Sequence, residues 1–153
     1  MDLRIISWDP GLTTGLCIIE NQTPGGQYEF FQQQLTFRQV GDLLEQWELD
    51  NLLSTPCTFV CESFTITQQT ARNSQAPWSL EVIGLIRYFA MKNHVELVFQ
   101  QPSAAKALVT DDVLKRAGKY VKGMPHACDA TRHGVYHAIV DRKVFQEWLI
   151  PAE

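Results

Sequence analysis

Leu3-Arg4-Ile5-Ile6-Ser7-Trp8-Asp9-Pro10-Gly11 is the stretch whose reading decides the fold. An apolar, β-branched run ends on an acid, and Pro10-Gly11 enforces a turn directly after it. Residues 3–9 are therefore predicted to form a buried strand with Asp9 at its C-terminal edge. Gly15 to Glu20 has the same apolar character and lies close enough to pair antiparallel with the first strand. Asn21 to Gln27, which contains Pro24-Gly25-Gly26, is predicted as a hairpin loop, with Tyr28 to Leu35 as a third strand. Three strands joined by short turns make a meander.

Beyond the meander the apolar periodicity changes. Val40, Leu43, Leu44 and Trp47 follow helical spacing from Phe37 or Arg38 onward. Ser54-Thr55-Pro56 ends that connection. Thr58 to Glu62 is a fourth strand, uninterrupted in apolar character and so expected in a central, doubly covered position. Ser63 to Pro77 is polar and aperiodic, and it begins immediately after Glu62, so it is expected to overhang whatever that acid does. Ser79 is predicted to N-cap a helix to Lys92, with Glu81 in its first turn. The apolar residues of that helix cover more than one narrow face, which implies burial on two sides. A fifth strand, Val95 to Phe99, a basic helix from Ser103 to Ala117, a loop from Gly118 to Pro125 and a last helix from His126 to Trp148 complete a βββ-α-β-α-β-α-α order.

The 153 residues, 45% hydrophobic and 20% charged, suffice for one domain spanning 1–153. No apolar run reaches the roughly 18–20 residues of a membrane span, so no membrane partner is expected. Asp2 and Asp9 argue against a signal peptide. Cys17, Cys57, Cys61 and Cys128 lack zinc-ribbon spacing and are expected as buried thiols of a cytoplasmic protein. The net charge is −4, yet the segment from Lys106 to Lys122 carries five basic residues (Lys106, Lys115, Arg116, Lys119, Lys122) against two acids. Such a segment ahead of a carboxylate cluster suits a phosphate backbone, although a solvated helix face would look the same.

That cluster is the functional signal. His126 and Asp129 are three residues apart and share a helix face. Asp9 and Glu62 each end a strand. Two carboxylates at strand ends and a third on a late helix can converge on divalent cations, the arrangement of a two-metal phosphodiester hydrolase. Oxygen ligands suit Mg²⁺, and the imidazole of His126 suits Mn²⁺ better. His126 could instead cap the last helix. His133 and His137, spaced i, i+4, have no partner in the pattern that completes a zinc site, and they read as surface or core histidines. Phe64, just past Glu62, is either a core plug or a ring that stacks on a base.

The element order, together with Asp9-Pro10-Gly11, Cys61-Glu62-Ser63-Phe64 and His126-x-x-Asp129-Ala130, resembles the RuvC-type Holliday-junction resolvases of the RNase H-like nuclease superfamily, and the short bacteriophage-encoded members in particular. The resemblance covers nearly the whole chain. It implies an α/β fold with a five-stranded mixed β-sheet in the order 3-2-1-4-5 flanked by α-helices. It further implies a metal-dependent endonuclease that resolves Holliday junctions and other branched DNA such as forks, acting as a homodimer with two Mg²⁺ or Mn²⁺ ions per site, in the host cytoplasm where phage-encoded. Asp9, Glu62 and Asp129 would be metal ligands, and His126 falls where the family carries Asp or His. Lys106 matches a lysine near the scissile phosphate. The second family lysine has no unique match among Lys115, Lys119 and Lys122. Phe64 only loosely matches the family's stacking phenylalanine. Arg72 and these lysines are the expected DNA contacts.

Three other readings remain open on the sequence. Asp9-Pro10-Gly11-Leu12-Thr13-Thr14-Gly15 also fits the phosphate-cradling turn of actin-like ATPases, although those need two such domains. A related nuclease acting on fork or flap DNA, or on RNA, would carry the same acids. A catalytically silent DNA-binding module would have no need of all three.

Overall fold

The computed structural model describes residues 3–21, 27–72 and 76–144. Its elements are β1 (Arg4–Asp9), β2 (Thr13–Glu20), β3 (Glu29–Thr36), α1 (Phe37–Leu49), a 3₁₀ turn (Leu52–Ser54), β4 (Thr58–Glu62), α2 (Gln68–Ala71), α3 (Ala76–Lys92), β5 (Glu96–Gln100), α4 (Pro102–Leu108), α5 (Asp111–Arg116) and α6 (Pro125–Tyr136), which loosens into one π turn (His137–Asp141). The sheet runs β3-β2-β1-β4-β5. β1 pairs antiparallel with β2 and parallel with β4, and β4 pairs parallel with β5. The mixed sheet and its order are those expected. Most of the expected hairpin loop, residues 22–26, lies outside the described residues.

Strand alternation assigns the two faces of the sheet. Ile6, Trp8, Leu16, Phe59 and Cys61 pack with Val40, Leu44 and Trp47 of α1 and Val82, Ile86 and Phe89 of α3. Trp8 anchors this layer, its ring centroid 6.0 Å from both Trp47 and Phe59. The opposite phase of the same strands meets α6: Leu3, Ile5, Cys17, Ile19 and Val60 pack with Cys128, Ala130 and Val135. Full burial of each large apolar side chain stabilises by about 1.5–3 kcal/mol. This second phase also carries the chemistry, because Asp9 follows Ile5 and Ser7 in β1, Glu62 follows Val60 in β4, and Gln100 closes β5.

Two close approaches set the path of α6. A Cβ on Gly15 of β2 would stand 1.8 Å from the backbone oxygen of His126, and one on Gly134 of α6 would stand 2.7 Å from Ser7 Oγ. Helix and sheet thus touch backbone to backbone at the start of α6. Gln34 of β3 completes the seat, its Oε1 accepting the His126 N–H at 3.0 Å and the Ala127 N–H at 3.4 Å. These are amides that a helix start leaves without partners.

Four local expectations need correction. The helix expected from a Ser79 cap begins at Ala76, with Pro77 in its first turn where a missing N–H costs nothing. Ser79 lies inside it and donates its hydroxyl to Pro10 O at 3.1 Å, which ties the Asp9-Pro10-Gly11 turn to α3, and Glu81 is not in the first turn. The helix expected over 103–117 is two, because Val109 leaves helical geometry and Thr110 caps a fresh start, its Oγ1 accepting from Val113 N at 3.3 Å. The polar stretch holds the short helix α2, closed by a reciprocal Thr67–Thr70 capping box. The last helix ends well short of Trp148. After the π turn Lys143 adopts φ +56°, and Val144 N bonds back to Ala138 O at 2.9 Å. Neither Gly nor Pro marks that stop, and residues 145–148 lie outside the described residues.

Candidate active site

Asp9, Glu62 and Asp129 gather at the C-terminal ends of β1 and β4 beneath the first two turns of α6. His126 Nδ1 lies 2.8 Å from Asp9 Oδ2. Asp129 is held from two sides: Arg132 Nη1 bonds Oδ1, and Lys106 Nζ stands 3.2 Å from Oδ2. Glu62 Oε2 lies 2.8 Å from Nε2 of His133. Among the described residues, no three His, Cys, Asp or Glu side chains stand together as ligands of one ion. Each acid instead faces a basic or imidazole partner.

The acids nonetheless act on one another. Burial pushes the Asp9 carboxyl above the ordinary carboxylate range against the opposing pull of the His126 hydrogen bond, and the charges of Glu62 and Asp129 push it further. His126 is raised as well, first by its hydrogen bond to Asp9 and then by the charges of Asp9, Asp129 and Glu62. Three carboxylates and an imidazole with surplus negative charge are a donor set that fits Mg²⁺ or Mn²⁺. Asp9, Glu62, Asp129 and His126 are the residues that would hold such ions.

The basic segment reaches this site through Arg132. Its guanidinium is buried, and burial lowers its pKa from the usual arginine value. It bonds Asp129 and Asp111, and Nε donates to Val109 O at 2.9 Å. The break between α4 and α5 frees that carbonyl, so the kink and the acid are held by one side chain. A cavity of about 360 Å³ lined by Lys106, Thr110, Asp111, Asp129 and Arg132 opens beside it. A larger cavity of about 560 Å³, lined by Ile6, Ile18, Phe31, Trp47 and Leu53 among others, lies on the α1 face near Arg4 and Glu20, at the other end of β1 from Asp9.

The remaining expected residues are more scattered. Lys106 is at the acids. Lys119 Nζ lies 4.7 Å above the ring of Phe30 and Lys115 Nζ 5.0 Å above Tyr120, while Lys122 is exposed. Phe64 is partly buried and belongs to neither core layer, and Arg72 is exposed at the end of α2. His133 is a core histidine, as its sequence context allowed, but its bond to Glu62 was not foreseen. Its one signal was position: seven residues after His126, it continues the face already carrying His126 and Asp129. His137 is buried at the π turn, with Nδ1 2.6 Å from Asp141 Oδ2. All four cysteines are free, and burial pushes the Cys17 thiol up to about 12.

No protein-family model matches the sequence, and no curated protein matches it. Solved structures do. The chain has the RuvC-type variant of the RNase H-like fold. A structure of Thermus thermophilus RuvC superposes with a TM-score of 0.68 at 16% identity, covering 92% of this chain and 96% of that one. T. thermophilus RuvC in complex with a Holliday junction substrate gives 0.65 at 17% identity with the same coverage.

Proposed function

We propose that the chain is a divalent-metal-dependent endonuclease that resolves Holliday junctions and cuts other branched DNA. The observation that supports this reading is the placement of Asp9 and Glu62 at the ends of adjacent strands, with His126 and Asp129 on the helix above them, in a RuvC-type fold. Mg²⁺ or Mn²⁺ held there, two ions per site, would supply a polarised water and charge stabilisation at a leaving 3′-oxygen. The chain's own groups do the rest. Asp9 and His126 face each other at 2.8 Å in the metal-free site and would give up that pairing to the ions. Lys106, half-exposed next to Asp129, offers its ammonium to the reacting phosphate, and Lys115, Lys119 and Lys122 are the further cations proposed to meet the DNA backbone. Phe64 and Arg72 stand on the segment after Glu62 and are the groups proposed to meet a displaced base or the backbone.

Resolution of a four-way junction needs two cuts related by two-fold symmetry, which a C2 homodimer supplies. The seam we assign is the outer stripe of α3. Leu80, Tyr88 and Met91 are exposed there, and Arg87 lies 5.1 Å above the ring of exposed Phe99 on β5. An apolar stripe of this kind on a helix whose other face is already in the core supports that assignment. The test is a cleavage panel of four-way junction, fork, duplex and RNA with each metal, run alongside sedimentation at micromolar protein. A dimer that linearises a cruciform plasmid through paired nicks is expected. A monomer that leaves single nicks points to fork or flap DNA as the substrate.

A further inference from the structure

The side chain that holds Glu62 is one the proposed chemistry does not use. His133 is 1% exposed and sits between two strand ends, with Nε2 2.8 Å from Glu62 Oε2 and Nδ1 2.9 Å from the amide of Gln100. Glu62 and Gln100 are register partners across β4 and β5, so the imidazole bridges adjacent strands from the helix above. Glu62 as a carboxylate only accepts, which places a proton on Nε2. Gln100 Nε2 is buried with no partner when Oε1 faces the ring. Turning the amide over brings that N–H₂ onto Nδ1, which then accepts. In this orientation each nitrogen of the chain Gln100–His133–Glu62 has a partner, and the buried position without one is taken by the Gln100 carbonyl oxygen. Glu62 Oε1 has no hydrogen-bond partner among the described residues.

We propose that Gln100 and His133 form a positioning relay that occupies one oxygen of Glu62 and presents the other, Oε1, as a single-oxygen metal ligand. The inference rests on the metal-dependent reading above and deepens it. A carboxylate on a flexible Glu side chain has several rotamers and two equivalent oxygens. A buried donor on one of them removes that freedom before any ion arrives, and partners of this kind typically change metal affinity by about 10–100-fold. His133 is thus a positioning residue acting through Glu62.

The test measures Mn²⁺ affinity directly, by calorimetry or by the magnetic resonance signal of free Mn²⁺, in protein without DNA. His133→Leu fills the space but removes the donor, and it should raise the Mn²⁺ dissociation constant by about 10–100-fold. Cleavage by this variant should recover as Mn²⁺ is raised. His133→Gln keeps an N–H donor and should restore much of the affinity, which a purely structural role for the ring would not predict. Gln100→Met leaves His133 in place and should give a smaller loss of the same kind, so the relay stays testable if His133→Leu does not fold. Unchanged Mn²⁺ affinity in folded His133→Leu or Gln100→Met, with any loss of cleavage following the melting temperature alone, overturns the relay. Wild-type protein that takes up no Mn²⁺ overturns the metal reading and the relay together.

Discussion

Asp9 with His126 and Glu62 with His133 are the same chemical pair, a carboxylate and an imidazole at 2.8 Å, in two settings. His126 opens α6 and its side chain is 45% exposed, whereas His133 lies two turns later with a side chain 1% exposed. The open imidazole can exchange its carboxylate for an ion or hand a proton to water. The enclosed one has spent both nitrogens on protein partners and serves geometry alone. A glycine stands at each pair, and the two contacts differ in kind. Gly15 meets the backbone of His126, while Gly134, next to His133, meets the side chains of Ser7 and Ile19.

The largest effect expected is at the open pair. Asp9→Asn keeps the shape of the side chain but removes its charge, and it should lower cleavage by about a thousandfold or more while junction binding survives. Retained cleavage by the purified variant would remove Asp9 from the chemistry.

The two glycines sharpen the contrast in stability. Gly15→Ala drives a methyl into the His126 carbonyl and should cost more than the roughly 1–3 kcal/mol typical of overpacking. Gly134→Ala meets atoms that can turn aside and should fall within that range. Equal denaturation midpoints for the two variants would show that the backbone contact at Gly15 does not set the helix.

His126→Ala should be milder than Asp9→Asn, about tenfold, with a different loss in Mg²⁺ and Mn²⁺. Identical losses with both ions would show that the ring is not a ligand. The pH dependence follows from the same pair. The folded-state values of Asp9 and His126 are both raised, so the folded metal-free protein holds protons that the unfolded chain releases. The His126 contribution is fully present below its unfolded value near 6.5 and is lost as pH rises through its raised folded value. The melting temperature of metal-free protein should therefore fall as pH climbs above that point, and His126→Ala should flatten the fall. Cleavage at limiting Mn²⁺ should run the other way, rising with pH as protons cease to compete for the site.

The smallest effect is expected away from both pairs. Lys122→Gln should weaken every DNA structure about equally and reduce the slope of log affinity against log salt by about one unit. An unchanged slope would make Lys122 a solvated lysine only.

The strands were legible because their signals are local. The run to Asp9 and the run to Glu62 are short, continuous apolar stretches that stop at polar or turn residues, so their ends could be placed within a residue or so. The kink at Val109-Thr110 also had a local signal, a Thr followed by two acids, which the continuous basic run obscured. The end of α6 had none, because a π turn and a left-handed Lys143 use neither Gly nor Pro.

By itself the sequence determined the two layers, the strand ends that carry Asp9 and Glu62, and the helix start that carries His126 and Asp129, since each depends on neighbours within one or two turns of chain. Only the tertiary structure decided that His133 would close on Glu62, 71 residues away, that Arg132 would join Asp129 to the α4–α5 kink, and that Gln34 would seat α6. Those pairings follow from the line along which α6 crosses the sheet. That line is drawn by the absence of a side chain at Gly15, a long-range contact that leaves no period in the chain.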